Sequence, residues 1–156
     1  MTFEKVPQGT RGAKTPPGWV GRFVMPVMVR FHRRSGDRFN GMDLLYLTTI
    51  GARSGQRRTT PVARFDDGAG GWYVVASARG AAAHPAWYHN IAAHPDQVWA
   101  EVGRTTCSVR VEQVTGAERE QTWARIVERA PNFGGYVTKT DREIPVLHLT
   151  PLSAGA

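Results

Sequence analysis

The chain has 156 residues, of which 41% are hydrophobic, and its formal net charge is +7. This length predicts one globular domain with a sizeable core, and the charge favours phosphates, polycarboxylates, nucleic acid or anionic lipid as ligands. Cys107 is the single cysteine, which excludes an internal disulfide and a thiolate zinc site. No apolar run reaches the ~18 residues of a membrane-spanning helix. The polar N-terminal residues do not resemble a signal peptide, so we expect a cytoplasmic protein.

In chain order, the predicted elements begin with a flexible arm at residues 1–17, followed by a single domain at residues 18–156. Apolar residues at three- and four-residue steps predict an amphipathic helix over Gly18–Arg34. Pro26 should kink or split that helix, because proline removes a backbone donor. A short helix between His84 and His94 and a longer one over Ala117–Ala130 follow later in the chain.

Runs of β-branched and apolar residues predict six strands. They are Leu44–Ile50, Thr59–Phe65, Trp72–Ser77, Gln97–Val102, Cys107–Val114 and Pro145–Thr150. Most connections are too short for parallel crossovers, so antiparallel pairing is expected. The predicted fold class is therefore mainly β (α+β): a six-stranded antiparallel barrel with flanking helices.

A basic, glycine-containing loop joins the first two predicted strands. It carries Arg53, Arg57 and Arg58 together with Ser54 and Gly55. Glycine lets the backbone approach a ligand closely, and guanidinium groups suit phosphate and carboxylate oxygens. Taken alone, this segment is equally typical of a solvated hairpin turn.

Three further polar-aromatic segments can converge on the same end of the predicted barrel, namely residues 76–80, the short helix after His84, and Pro131–Tyr136. Residues 76–80 (ASARG) end the third strand and offer amides, a hydroxyl and a cation to a ligand. The short helix carries Trp87, Tyr88, His89 and Asn90, which span a whole helical turn, so the four cannot all face the core. We expect Trp87 in the core, and His89 and Asn90 at neighbouring loops, with His89 buried and hydrogen-bonded.

Several other active-site classes find no support in the sequence. His84, His89 and His94 are five residues apart, so successive imidazoles are displaced by about 140° around a helix, and we expect no metal site. The sequence contains no G-x-S-x-G motif, which would indicate a hydrolase. It also contains no G-x-G-x-x-G motif at the start of a helix that follows a strand, which would indicate a dinucleotide site. Pro131–Tyr136 is predicted to be a loop whose Phe133 and Tyr136 either line a pocket or pack beneath the loop.

With these segments in this order, the chain resembles the deazaflavin-dependent nitroreductase family, which binds coenzyme F420 on a split β-barrel. The resemblance rests on LTTIGARSGQRRTTP, VVASARG and HPAWYHNIAAHP. It implies that the phosphate and oligoglutamate tail of the cofactor lies along Arg53, Ser54, Gly55, Gln56, Arg57 and Arg58. It further implies that the cofactor is contacted or bordered by Leu47, Thr48, Ala76, Ser77, Ala78, Arg79, Ala86, Trp87, Tyr88, His89 and Asn90.

The resemblance also implies an activity, namely hydride transfer from reduced F420 to a quinone-like, nitro or conjugated enone acceptor. Ser77 and Tyr136 are the predicted catalytic residues, which assist the acceptor through polar groups. The predicted substrate pocket is formed by Ala63, Ala130, Phe133 and Tyr136. Relatives carry tyrosines around this pocket, and a lysine where this chain has Ala78.

Three alternatives remain open at the level of sequence. The barrel could hold FMN in place of F420, or it could be a non-enzymatic nucleic-acid-binding barrel. The second is disfavoured because the basic residues cluster in one loop and one helix, so we expect no nucleic-acid partner. Residues 18–34 could contact a membrane peripherally, and the protein is expected to be a monomer or a homodimer.

Overall fold

The computed structural model describes residues 4–12, 18–34, 36–39 and 41–152. Its helices are α1 (Gly18–Arg34), α2 (Ala86–Ala93), α3 (Gly116–Arg129) and α4 (Asn132–Lys139), and a 3₁₀ turn spans Ala78–Gly80. Its strands are β1 (Arg38–Phe39), β2 (Met42–Ile50), β3 (Arg57–Ala63), β4 (Phe65–Asp66), β5 (Trp72–Val75), β6 (Trp99–Val102), β7 (Thr105–Val114) and β8 (Val146–Pro151). The α+β class is confirmed. Two strands were not predicted, β1 and β4, and each has only two residues.

The strands form one antiparallel sheet in the order β1-β2-β6-β7-β8-β5-β4, with β3 paired to the other side of β2. The β2–β3 pair is the predicted hairpin, and its register runs from Leu44 opposite Ala63 to Ile50 opposite Arg57. The β5 strand ends at Val75, so Ser77 lies beyond it in the following turn.

Two hydrophobic clusters stabilise the domain. The first fills one face of the sheet beneath α2 and contains Leu47, Val74, Trp87 and Leu149, among others. The second lies beneath α3 and α4. The β7 strand contributes to both clusters, since Val109 and Val111 lie on one face and join the first cluster, while Val114 lies on the other face and joins the second. The alternation predicted for this strand is confirmed, with Ser108, Arg110 and Glu112 exposed.

Helix α4 replaces the loop predicted for Pro131–Tyr136, and that prediction was wrong. Two consecutive glycines argued against a helix, but tertiary packing outweighs their low propensity. Phe133 and Tyr136 are one turn apart, and their ring centroids lie 5.5 Å from each other. A Cβ atom at Gly134 would lie 3.2 Å from Val127 Cγ1 in α3, so the missing side chain allows close helix packing.

Helix α1 continues through Pro26, so the predicted split is wrong, whereas the alternative of a kink at Pro26 stays a prediction. In the part of α1 whose side chains are described, Val29 and His32 are buried, whereas Val27 and Phe31 are exposed. Among the described residues, no helix is both long enough and apolar enough to cross a membrane.

Candidate functional site

The basic loop, which we define as residues 51–56, is a tight connection with a fixed backbone. The Gly51 amide donates to the Gln56 carbonyl over 2.8 Å, and the Gly55 amide donates to the Gly51 carbonyl over 2.9 Å. Gly55 has φ +70°, which favours glycine at this position. Arg57 and Arg58 begin β3, so they do not belong to the loop as predicted.

The positive charge of this hairpin end is not neutralised within the described structure. No carboxylate of a described residue forms an ion pair with Arg53, Arg57 or Arg58. The Arg57 guanidinium lies 4.3 Å from the ring centroid of Trp99, which orients it by a cation–π contact. Arg53 and Arg57 are exposed and Arg58 is half-buried, so these cations can bind an anionic ligand.

Asn90 of α2 fastens the basic loop to the barrel. Its Oδ1 accepts from the Ala52 amide at 2.9 Å, and its Nδ2 donates to Thr49 Oγ1 at 3.1 Å. The Asn90 side chain is buried and its described hydrogen bonds are internal. The structure therefore makes Asn90 an anchor of the predicted cofactor site, and it confirms the expected bond from this helix to a loop.

The other predicted contact residues of β2 and α2 divide by burial. Leu47, Trp87 and Tyr88 lie in the first hydrophobic cluster, as expected for Trp87. Thr48 is half-buried, and its hydroxyl lies 2.9 Å from that of Thr59. Ala86 is exposed at the start of α2.

His89 is half-buried, and its Nδ1 lies 3.3 Å from Lys5 Nζ. Burial, together with the Lys5 charge, lowers the pKa of His89. The His89 side chain was expected to be buried, and in the structure it is only partly buried.

The strand-end turn, defined as residues 76–81, has an unusual backbone. Ala78 has φ +45° without being glycine, and Gly80 has φ +80°. A Cβ atom at Gly80 would lie 2.9 Å from Lys139 Cβ and 3.0 Å from the Tyr136 carbonyl oxygen of α4. The turn thus lies directly against α4, which brings the turn carrying Ser77 next to the helix carrying Tyr136. The Arg79 side chain lies outside the described part of the structure.

A buried arginine that the sequence analysis missed holds this turn. Arg142 is 5% exposed. Its guanidinium donates to the carbonyl oxygens of Ala76, Ser77 and Ala81 over 2.9, 2.7 and 2.9 Å. Arg142 follows α4 in a segment without a recognisable motif, and its partners lie more than 60 residues away, so only tertiary structure reveals its role.

The predicted substrate-pocket residues come together in the second cluster. Ala130 and Phe133 are buried core members, and Ala63 and Tyr136 pack against that core. The Tyr136 hydroxyl accepts from Asn132 Nδ2 at 3.3 Å, and Lys139 Nζ lies 5.6 Å from its ring centroid. Tyr136, which is half-buried, is the member of this set that carries a polar side-chain group. Among described residues, no three His, Cys, Asp or Glu side chains are grouped to hold a metal ion.

Residues 4–12 of the predicted arm are hydrogen-bonded to the domain. The Val6 amide donates to the Tyr88 hydroxyl over 3.0 Å, and the Gly9 amide donates to the Ala82 carbonyl over 2.9 Å. Farther along, the Thr10 hydroxyl and the Arg11 and Thr10 amides donate to the Asp141 carboxylate, and these bonds, the hydroxyl's above all, lower the pKa of Asp141 to about 2. This segment therefore lies across the same side of the molecule as α2 and the strand-end turn.

Comparison with known proteins identifies the family. Residues 19–151 match the family model described as F420H(2)-dependent quinone reductase. The chain belongs to this family. An F420H(2)-dependent quinone reductase of Mycobacterium tuberculosis is 33% identical over 144 residues, which cover 85% of this chain and 95% of the relative.

Two solved structures extend this family assignment. An F420-H2 dependent reductase (FDR-A) is 37% identical, with a TM-score of 0.61, and the match covers 69% of this chain and 93% of that chain. A domain-swapped dimer is 32% identical, with a TM-score of 0.62, over 87% of this chain and all of that chain. The resemblance to deazaflavin-dependent oxidoreductases and the α+β split-barrel class are confirmed. No comparison supports FMN or membrane contact through residues 18–34.

The family is one of oxidoreductases whose cofactor is coenzyme F420, and the hairpin end fits that cofactor. A phosphate and a chain of carboxylates need several cations on an accessible surface. Arg53, Arg57 and Arg58 supply them without a described carboxylate in competition, on a backbone that Asn90 keeps in place. The donor set therefore agrees with an anionic tail.

Proposed function

We propose that this chain transfers a hydride from reduced F420 to a quinone-like acceptor, with nitro and conjugated enone compounds as further acceptors. The observation that supports this proposal is the group of three arginines at the β2–β3 hairpin end, which no described carboxylate neutralises. In this proposal Arg53 and Arg58 bind the phosphate and oligoglutamate tail, while Ser54, Gly55 and Gln56 border it. Arg57, which is held by Trp99, adds to the positive field.

The reduced deazaflavin supplies the hydride when it is bound. The task of the protein is then to orient donor and acceptor and to stabilise negative charge that develops on the acceptor. We assign that polar assistance to the Ser77 hydroxyl and the Tyr136 hydroxyl, which lie on adjoining elements. The turn residues Ala76 and Ala78 border the ring system, and the small side chain of Ala63 leaves room for the acceptor.

Fluorescence titration with F420 tests the cofactor assignment. Saturable quenching by F420 is expected, and FMN should give none. The R53A/R58A variant should bind F420 at least about tenfold more weakly, because charged hydrogen bonds contribute roughly 1.5–3 kcal/mol each. R104A/R125A is the matched control, since it removes two exposed arginines elsewhere and should leave the affinity unchanged.

Unaltered F420 affinity in R53A/R58A would refute the loop assignment. Saturable quenching by FMN alone would refute the cofactor assignment.

Reduction of menadione with reduced F420 tests the proposed activity. We expect S77A and Y136F each to lower kcat by about 10- to 100-fold, because each removes one polar group from the acceptor side. T138V is a suitable control, since Thr138 is exposed on α4 and its hydroxyl donates to the Gly135 carbonyl. Full turnover in both S77A and Y136F would remove these two residues from the mechanism.

We propose further that the protein forms a homodimer. A similar chain, 32% identical, was solved as a domain-swapped dimer, and exchange of an element between identical chains is a low-cost route to dimers. Light scattering should give about twice the mass of one chain. A concentration-independent mass of one chain would contradict the proposal.

A further inference from the structure

The chemical environment of Arg142 is unusual for a buried charge. Buried arginines are normally paired with a carboxylate, yet no described carboxylate forms an ion pair with this one. The neighbouring Asp141 carboxylate is engaged by the Thr10 and Arg11 amides. Burial lowers the pKa of Arg142 from its ordinary value, in keeping with a cation held only by neutral groups. Such a costly charge calls for a role beyond filling the core.

The hydrogen bonds of Arg142 converge on one short segment. A guanidinium has five N–H donors in a rigid plane. The Arg142 guanidinium has four acceptors among the described residues, and each of them is a neutral group. Ala76 and Ser77 lie before the 3₁₀ turn and Ala81 lies after it, so one planar group ties both ends of the turn. Lysine could not reproduce this geometry, since its ammonium is a single point of attachment.

The conformation held in this way is a strained one. Ala78, with φ +45°, lies between the residues whose carbonyls Arg142 holds. A non-glycine residue in this region is strained and persists only where surrounding contacts over-determine its conformation. Within the turn, the Gly80 amide donates to the Ser77 carbonyl and the Ala81 amide to the Ala78 carbonyl. Arg142 supplies the external contacts that fix this shape.

The fourth acceptor links the turn to the N-terminal segment. Arg142 Nη1 lies 2.9 Å from His84 Nδ1, and because arginine can only donate, Nδ1 is the acceptor. The proton of neutral His84 is then on Nε2, which donates to the Val6 carbonyl at 2.6 Å. Val6, His84, Arg142 and the turn therefore form one continuous hydrogen-bonded chain.

We propose that Arg142 is a positioning residue, which sets the geometry of the strand-end turn so that Ser77 faces the acceptor correctly. The proposal rests on the proposed function, because that function places the reaction beside this turn. It assigns Arg142 no contact with substrate or cofactor. It predicts a larger loss of turnover than of F420 affinity, because the hairpin arginines, which Arg142 does not contact, supply the charge that binds the cofactor tail.

The test compares R142Q and R142K with R119K as the matched control. Arg119 is also a mostly buried arginine, and its Nη2 donates to the Ile144 carbonyl at 2.7 Å, but it does not contact the turn. H84A is an additional variant, which removes one acceptor and keeps the charge. Each protein is assayed for hydrogen exchange of the Gly80 and Ala81 amides, for F420 affinity, and for kcat and KM with menadione.

We expect faster exchange of both amides in R142Q and R142K, with kcat lowered by about 10- to 100-fold, the loss typical of a small misplacement of reacting groups. F420 affinity should fall by a smaller factor than kcat, because the hairpin arginines that bind the cofactor tail are untouched. H84A should show a smaller change in the same direction, and R119K should resemble wild type in exchange and kcat. If R142Q does not fold, R142K and H84A decide the question.

Wild-type exchange and kcat in R142K would overturn the proposal, since charge alone would then suffice. Equal effects in R119K and R142K would overturn it as well, because general destabilisation would explain both. A wild-type protein without F420-dependent turnover would refute the proposed function itself. If wild type turns over normally and the Arg142 substitutions leave turnover unaltered, the role of Arg142 is refuted and the proposed function is not.

Discussion

The basic loop and the strand-end turn lie at two parts of the same candidate site, but they are built in opposite ways. The basic loop is closed by its own backbone, between Gly51 and Gln56, and needs Asn90 only as an anchor. The strand-end turn is held from outside, by Arg142 and by α4. The loop presents exposed charge for affinity, whereas the turn presents a defined shape. Affinity and geometry should therefore respond to different substitutions.

The largest contrast is expected between two glycines. G80A should destabilise the fold by about 3 kcal/mol, because Gly80 has φ +80° and an added Cβ would lie only 2.9 Å from Lys139 Cβ. G55A should cost only about 1 kcal/mol, since Gly55 has φ +70° but open space around it. Urea unfolding of both variants measures the difference. Equal losses would mean that the turn is no more constrained than the loop.

Asn90 tests whether the loop depends on its anchor. N90A should lower the free energy of unfolding by about 2 kcal/mol, because the buried Thr49 hydroxyl and the Ala52 amide lose their partner. F420 binding should weaken, with the maximal quenching retained. N132A, which removes an exposed amide, is the control and should change stability by less than about 0.5 kcal/mol. Undiminished stability in N90A would contradict the anchor role.

A pH dependence should distinguish the turn from the loop. Burial, together with the Arg142 charge, lowers the pKa of His84 below its ordinary value of 6.5. The folded state then binds fewer protons than the unfolded state just below pH 6.5, so stability should fall as the pH drops through that window. Thermal melting between pH 7.5 and 5.5 measures the decline.

H84Q should show a smaller decline, because glutamine can still accept from Arg142 and donate to Val6 without titrating. His89 titrates nearby beside Lys5, and its pKa is also lowered, so H89Q measures its separate share. The Tyr88 hydroxyl lies in the same group, but burial raises its pKa away from this window. An identical pH profile in H84Q and wild type would exclude His84 as the source.

The smallest expected effect is a salt dependence confined to the loop. Exposed guanidinium charges are screened at physiological ionic strength, where the Debye length is about 8 Å. F420 affinity should therefore fall a few-fold between low and moderate salt, and R53A/R58A should lose most of that slope. The kcat of wild type at saturating F420 should stay constant. A slope that persists in R53A/R58A would locate the electrostatic attraction elsewhere.

How far the sequence predicts this structure depends on how local each contact is. The β2–β3 hairpin, the alternation of β7 and, to within one residue, the bounds of α3 follow from residue patterns within short windows. The helical state of Gly134 and Gly135 depends on Val127 and Phe133, whose packing no local pattern reveals. The continuity of α1 through Pro26 likewise departs from propensity.

The candidate site shows the same division. Arg53, Arg57 and Arg58 at the hairpin end were predicted as a basic group because charge and glycine are visible along the chain. Arg142 was missed because its acceptors are backbone carbonyls, which any sequence would supply, and they lie more than 60 residues away. A buried arginine whose acceptors are backbone carbonyls produces no recognisable motif in the sequence. The assignment of Ser77 and Tyr136 as catalytic residues, and of the pocket residues, stays a prediction.

The position of β8 has a consequence for biosynthesis. Val146–Pro151 is the last strand among the described residues, yet it pairs with β5 on one side and β7 on the other. While this strand is still missing from a nascent chain, both neighbours present unpaired edges open to association with other chains. Folding of the sheet should therefore await synthesis of the chain through Pro151. A stop codon placed before Val146 should yield insoluble protein in place of a shortened enzyme.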